Sequence, residues 1–221
     1  AISEVYRPNN GILSIYDSEA QVSHVRLRHN EVEKFVSLSF SNDGSFISAL
    51  GVGSQNSRIF VWKMVRDVPN VAIIPVSNAT TSICFDPQNH FRLIVFGSPG
   101  IRSILVNTID KVMKEIETEH TFEKYVFVPA INGLLLASFQ NNLYIIVGDS
   151  IVDTIQPLDC EKIDMLRSVR NLVFIISSNK IHLYRANSES PYLTYVGLID
   201  LSINTIIDFS PSPDGDLAVV L

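Results

Sequence analysis

Turn signals recur along this chain at nearly constant intervals, and that period limits the possible folds more than any other feature of the sequence. Asn42-Asp43-Gly44 is followed by Asn89 in DPQNH, Gly133 in PAING, Asn171 in SVRN and Gly215 in SPDG. Gly44, Asn89, Gly133, Asn171 and Gly215 stand 45, 44, 38 and 44 residues apart. Tight hairpin turns demand positive φ, which costs glycine nothing and asparagine little. Each turn follows a short alternating segment: FVSLSF, TSICF, KYVFV, KIDML or NTIIDF. Each precedes another: SFISALGV, FRLIVFG, LLLASF, NLVFII or DLAVVL. Third segments read GILSIY, SRIFVW, IRSILV, NLYIIV and KIHLY, and weaker fourth ones NVAIIPV, KVMKEIE, SIVDTIQ and YLTYVGL. Ile, Val, Phe and Tyr dominate, residues that pack well on a pleated surface. Charge and proline in the fourth segments suit strands at a sheet edge.

Four strands repeated every 40 to 45 residues or so is the signature of a β-propeller blade. The pattern predicts an all-β chain: a β-propeller of four-stranded antiparallel blades, over 2–28 (incomplete), 29–78, 79–119, 120–158, 159–200 and 201–221 (incomplete). A rival helix lies in IDKVMKEIETEH, where Ile109, Val112, Met113 and Ile116 have helical spacing. A fourth strand is due there and no helix stop follows, so a strand is expected. Both ends, ISEVYR and DLAVVL, read as second strands. The expectation is therefore an open arc of about five blades belonging to a larger propeller. Phe40, Phe85, Phe127 and Phe209 sit near the ends of first strands and are predicted to be buried between blades. Trp62 shares its place in the repeat with Val106, Val147 and Tyr184, which predicts core packing rather than an exposed binding anchor.

Third strands end in Tyr16-Asp17, Trp62-Lys63, Val106-Asn107, Val147-Gly148 and Tyr184-Arg185, which resemble worn Trp-Asp endings of WD repeats. Six residues before Tyr16, Trp62 and Val147 stand Asn10, Asn56 and Asn141, where the WD pattern carries a turn aspartate. An asparagine side chain can brace a tight turn through the nearby backbone, so a structural role is expected. His29 and His120 precede first strands, in the place of the Gly-His pair, where a histidine can hydrogen-bond within its blade. More narrowly, the chain is similar to the cilia- and flagella-associated WD-repeat proteins over about residues 27–150. Phe35, Ser37, Leu38, Phe40 and Ser41 match F-[IV]-S-L-x-F-S, and Cys84, Phe85, Pro87, Gln88 and Asn89 match C-x-F-x-P-Q-[DN]. That resemblance implies a scaffold on the axoneme, typically beside a second propeller and a coiled coil. A WD-type cytosolic adaptor for trafficking, ubiquitin transfer or signalling stays open beside it.

Composition narrows the function classes. The chain has 221 residues, 46% of them hydrophobic, a net charge of −6 and scattered Lys and Arg. A disordered chain is excluded, and a phosphate-binding face for nucleic acid is not expected. No apolar run approaches the ~18 residues of a membrane-spanning helix, and no signal peptide is legible after Ala1. Cys84 and Cys160 lie in apolar strand patterns and read as buried small hydrophobes rather than a disulfide or zinc site. Asn78-Ala79-Thr80 matches a glycosylation sequon by a single short pattern. Neither GVGSQN nor FGSPG, with Ser54 and Ser98, supplies the G-x-S-x-G turn of a serine hydrolase, and both fall in hairpins. GVGSQN also lacks dinucleotide-loop spacing. No catalytic, cofactor or metal site is predicted, and the partners expected are proteins rather than nucleic acid, membrane or small-molecule substrates.

Overall fold

The computed structural model describes residues 2–5, 11–16, 23–29, 32–54, 56–64, 72–97, 100–106, 113–116, 121–157, 159–201, 206–212 and 217–220. They form two compact units, Ala1–Glu119 and His120–Leu221.

The first unit holds three antiparallel sheets in chain order. Strands β1 (Ile2–Val5), β2 (Gly11–Tyr16) and β3 (Ser23–His29) make a three-stranded sheet. A four-stranded sheet follows, of β4 (Lys34–Phe40), β5 (Phe46–Val52), β6 (Ser57–Lys63) and β7 (Ala72–Val76). The next is β8 (Thr80–Asp86), β9 (Asn89–Gly97), β10 (Ile101–Leu105) and β11 (Met113–Ile116). Met113–Ile116 thus pairs with β10 as a strand, Ile104 opposite Met113 and Ile101 opposite Ile116. Ile109 and Val112 lie outside the described residues.

The second unit repeats the plan. β12 (Lys124–Phe127), β13 (Leu134–Phe139), β14 (Asn142–Val147) and β15 (Ser150–Ile155) form one four-stranded sheet. β16 (Met165–Val169), β17 (Leu172–Ser177), β18 (Lys180–Ala186) and β19 (Leu193–Asp200) form another, and β20 (Asp208–Pro211) pairs with β21 (Leu217–Val220). Among the described residues no helix is long and apolar enough to cross a membrane.

The first-to-second strand turns follow the sequence signals in part. Gly44 and Gly133 take positive φ, 68° and 71°. Asn89 instead opens β9 opposite Asp86, and its Oδ1 accepts the Phe91 N–H at 3.1 Å. In the β16–β17 turn the positive φ of 53° falls on Arg170, one residue before Asn171. Gly215 lies outside the described residues. KIDML is also misplaced: β16 begins at Met165, because Ile163 is spent as a fully buried plug ahead of the strand.

That plug recurs. Val32-Glu33, Phe122-Glu123 and Ile163-Asp164 each place a buried apolar side chain and then an acidic residue before a first strand. The acidic residue's N–H donates to the end of the second strand: Glu33 to Val52 O at 2.9 Å, Glu123 to Ser138 O and Asp164 to Ile176 O, both at 2.8 Å. The chain is thereby stapled to the sheet it is about to enter.

Sheets stack face to face within each unit. Leu13 and Ile15 of β2 meet Phe35, Ile47, Ala49, Phe60 and Trp62 of the β4–β7 sheet. Leu50, Ile59, Val61 and Ile74 on its other face meet Ile83, Phe85, Leu93, Val95 and Ile104. In the second unit Leu134, Leu136, Leu143 and Ile145 meet Leu166, Val173, Ile175 and Tyr184. Phe174, Ile176 and Ile181 meet Phe209. Both faces of an inner sheet are apolar, so its central strands read as continuous hydrophobic runs; β5 is buried from Phe46 to Gly51.

Candidate interaction surfaces

The first strands are tied by hydrogen bonds as well as by packing. The Ile83 N–H donates to Ser37 Oγ at 3.1 Å and the Phe85 N–H to Ser39 Oγ at 2.9 Å, joining β8 to β4. In the second unit Ser168 Oγ donates to Phe127 O, and Arg167 Nε donates to Phe209 O at 3.1 Å. Ser37, a motif letter, and Ser39, which falls at the motif's unspecified position, therefore satisfy backbone groups of a neighbouring sheet.

Three of the four phenylalanines predicted to be core are buried: Phe85, Phe127 and Phe209. Phe40 is not; it is 44% exposed. Phe85, opposite Leu93, lies in a core cluster with Phe46, Leu50, Ile59 and Val61 of the preceding sheet, whose β4 also binds its N–H, whereas Phe40, opposite Ile47, faces the β1–β3 sheet. Among the described residues that sheet has three strands and none standing where β4 stands for Phe85.

Trp62 is buried, stacked on Phe60 at 5.6 Å between centroids and edge-on to Phe35 at 6.1 Å. Tyr184 fills the matching place, opposite Val173 as Trp62 is opposite Ile47. Val147 does not. It pairs with Leu134 and joins the core on the opposite face, so Ile146, opposite Leu135, holds that position and the residue count in this repeat is off by one.

Asn56 and Asn141 carry less than expected. Asn56 contributes its backbone carbonyl, accepting the Gly53 N–H at 3.3 Å. Asn141 lies in the two-residue turn after Phe139, where Gln140 takes the positive φ of 56°. No side-chain bond bracing either turn is found among the described residues. The carboxylate of Asp43 does that work elsewhere, accepting from Ser41 Oγ at 2.6 Å and from the Ser45 N–H at 3.0 Å. These bonds, that from Ser41 foremost, hold its pKa at about 2. Asn10 and His120 lie outside the described residues. His29 ends β3 opposite Gly11, its side chain outside them.

One histidine that the sequence did not single out is the least satisfied group in the core. His182 in β18 is 1% exposed, and neither ring nitrogen has a hydrogen-bond partner. Its register, opposite Ile175, corresponds to that of Phe60 opposite Ala49. Burial, and after it Lys180, pushes its pKa below the ordinary histidine value. Burial likewise raises the thiol of Cys84 to about 11 and that of Cys160 upward, so both stay protonated. Ser54 is exposed in its turn, and Ser98 lies outside the described residues. Among the described residues no three His, Cys, Asp or Glu side chains converge to hold a metal.

Among the outer features of the second unit that can meet a partner are a charged concavity and a strand edge. A concavity of about 250 Å³ is lined by Asp159, Glu161, Asp164, Lys162 and Lys180 among others. Its charges are partly engaged: Asp164 accepts the Ser178 N–H at 2.7 Å and stands 4.0 Å from Lys162 Nζ. The other feature is β19, the outer strand of its sheet, where Tyr195, Val196, Leu198 and Ile199 are each 37–48% exposed. Its signal in the sequence is the uncharged run LTYVGLI, set among fourth strands that otherwise carry charge or proline.

No known sequence family and no curated protein matches this chain. Solved structures do. The β-propeller domain of Cps50 (Swd1) from Myceliophteria thermophila aligns with TM-score 0.74 and 15% identity, over 95% of this chain and 72% of that one. KlHsv2 with loop 6CD replaced by a Gly-Ser linker gives TM-score 0.71 and 15% identity, over 96% and 70%. A functionally unknown protein from Desulfotomaculum acetoxidans DSM 771 gives TM-score 0.64 and 10% identity, over 87% of this chain and 63% of that one. Such identities speak for fold alone. The chain is an all-β protein of the β-propeller class, built from four-stranded antiparallel blades.

Proposed function

We propose that this chain is a non-catalytic protein-interaction scaffold and, more narrowly, a structural component of the ciliary or flagellar axoneme, in the cytoplasm and on the cytoskeleton. The observation that carries the scaffold reading is how the sheets are used. Their faces are consumed by one another and their first strands are tied by side-chain bonds, which leaves turns and outer edges on a rigid core to meet other molecules. The likeness in fold to the Swd1 and Hsv2 propellers supports the same architecture. The axonemal part rests on the matches at Phe35–Ser41 and Cys84–Asn89. Partners are other proteins, axonemal or large-assembly subunits, with basic or mixed surfaces suited to a net charge of −6. No cofactor, metal, nucleic acid, membrane or small-molecule substrate enters this reading.

The test is to express the tagged full chain in ciliated cells, extract axonemes and identify cross-linked neighbours. Retention on axonemes with cross-links to their subunits is expected. A purely cytosolic distribution would remove the axonemal part and favour an adaptor in trafficking, ubiquitin transfer or signalling. Labelling of Ser54 or Ser98 by an activity-based serine-hydrolase probe would overturn the non-catalytic reading.

A further inference from the structure

Edge strands present a row of unpaired N–H and C=O groups, and proteins blunt them with charge or proline. Here the outer strands differ in that respect. β7 carries Pro75, β15 carries Asp153, β11 carries Lys114 and Glu115, and β3 carries Arg26 and Arg28. β19 carries no charge from Leu193 to Ile199 and ends in exposed Asp200. Among the described residues it pairs with β18 and no other strand. Its eight residues span about 27 Å at ~3.4 Å each.

The edge is also held in shape at both ends. Asn187 Nδ2 donates to Thr194 Oγ1 at 3.0 Å and to Pro191 O at 2.6 Å. At the other end Asn179 Nδ2 donates to Asp200 Oδ1 at 3.4 Å, and the Leu201 N–H to Asn179 O at 3.0 Å. Tyr195 packs edge-on against buried Tyr184, centroids 5.3 Å apart. A strand fixed in this way loses little freedom on pairing. A bulge at Val196 leaves Gly197–Asp200 in unbroken register with Lys180–Leu183, so pairing centres on Leu198 and Ile199.

We propose that β19 is a docking edge for an extended segment of another protein, which adds to the sheet as an antiparallel fifth strand with a basic residue beside Asp200. This rests on the scaffold reading and names the surface it uses. Main-chain bonds would supply affinity and alternate side chains specificity. The segment's β-branched residues would cover Tyr195 and Leu198 on one face and Ile199 on the other. Charge selects the partner: an acidic residue closes the strand, exposed Arg185 flanks Thr194 at the opposite end, and the chain as a whole is acidic. A second copy of this chain is disfavoured, since two molecules of net charge −6 would meet along a single narrow strip.

The probe is a fluorescein-labelled peptide of one N-terminal lysine followed by alternating valine and threonine, titrated with the full chain and read by anisotropy. Saturable binding is expected. It should weaken more than tenfold in the double variant Leu198→Lys, Ile199→Lys and stay unchanged in Val152→Lys on the guarded edge of β15. Amide-exchange protection of residues 197–200 in the unmodified chain upon peptide addition gives a second reading should the double variant not fold. No binding, equal binding by a folded double variant, equal binding of a peptide starting with glutamate, or dimerisation of the chain through β19 would each overturn the proposal. Axonemal cross-links that survive in the double variant would sink the edge while leaving the scaffold reading intact.

Discussion

The inter-sheet cores of the two units are built to one plan from different side chains. Between β2 and the β4–β7 sheet the core is aromatic: Phe35, Phe60 and Trp62 form one cluster, with Phe60 opposite small Ala49. Between the β12–β15 and β16–β19 sheets it is largely aliphatic around Tyr184, and the place corresponding to Phe60 is taken by His182 opposite Ile175. The register is shared and the chemistry is not. One position thus carries a large apolar ring in the first unit and an unsatisfied polar ring in the second. Backbone pairing and apolar faces define the repeat, while the stabilisation at each interface is set residue by residue.

The most damaging change should be in the aromatic core. Trp62→Ala would remove a buried ring stacked on Phe60 and leave a cavity, costing roughly 3 to 5 kcal/mol. Tyr184→Ala, at the matching place in the aliphatic interface, should cost less because fewer aromatic contacts are lost. Urea denaturation of both variants measures the difference, and equal losses would break the contrast between the units. Intrinsic fluorescence checks Trp62 directly: blue-shifted, poorly quenched emission is expected from a buried indole.

His182 offers a gain. A buried polar group without a partner costs about 1 to 3 kcal/mol, so His182→Leu should raise stability by roughly that amount in the same assay. The pH dependence follows from sign. The folded state holds the imidazole pKa below its unfolded value near 6.5, so the unfolded chain binds the proton more readily. Stability should be full above about pH 6.5 and fall as pH drops through that value toward the lower folded pKa. The Leu variant should lack this slope. A wild-type stability that rises on acidification would contradict the buried, neutral ring.

Much of this architecture could be read from the chain because turn residues and apolar alternation are local signals. The failures share a cause in tertiary context. KIDML alternates as a strand should, yet β16 begins three residues in, at Met165, and nothing local says that Ile163 is used as a plug. Distance from the turn makes Val147 the equivalent of Trp62, but the place is defined by facing, and Val147 points to the opposite core. Position in the repeat points to Asn56 and Asn141 as turn braces, a role that Asp43 performs in another turn. The edge of β19 was visible as an uncharged run, but its meaning depends on comparison with β7 and β15, which only pairing supplies.

A smaller effect separates Phe40 from Phe85, which the repeat treats as one position. Phe85→Ala should cost about 3 kcal/mol or more, as for other buried aromatics. Phe40→Ala should cost less, on the order of 1 kcal/mol, since at 44% exposure this side chain has less covered area to lose than Phe85. Comparable losses at the two sites, measured by denaturation, would mean that Phe40 is covered in solution by something that the described residues do not include.

The smallest effect belongs to the turn carboxylate. Asp43 is exposed, and its lowered pKa comes chiefly from the Ser41 hydroxyl, then from the N–H and hydroxyl of Ser45, with His90 at 3.7 Å a minor contributor. A carboxylate whose folded pKa is depressed contributes stability that is present above its unfolded value of 3.8 and is lost as pH falls toward about 2. Between pH 5 and 8, therefore, the turn should show no pH dependence from this group, in contrast to the interface that holds His182. Titration of the Asp43 carboxyl by NMR in the unmodified chain should give a midpoint near 2, and Ser41→Ala should move it upward. A midpoint near 3.8 in the unmodified chain would show that these hydrogen bonds do not persist in solution, and that the turn is held by its remaining bonds between Ser41, Gly44 and Phe46.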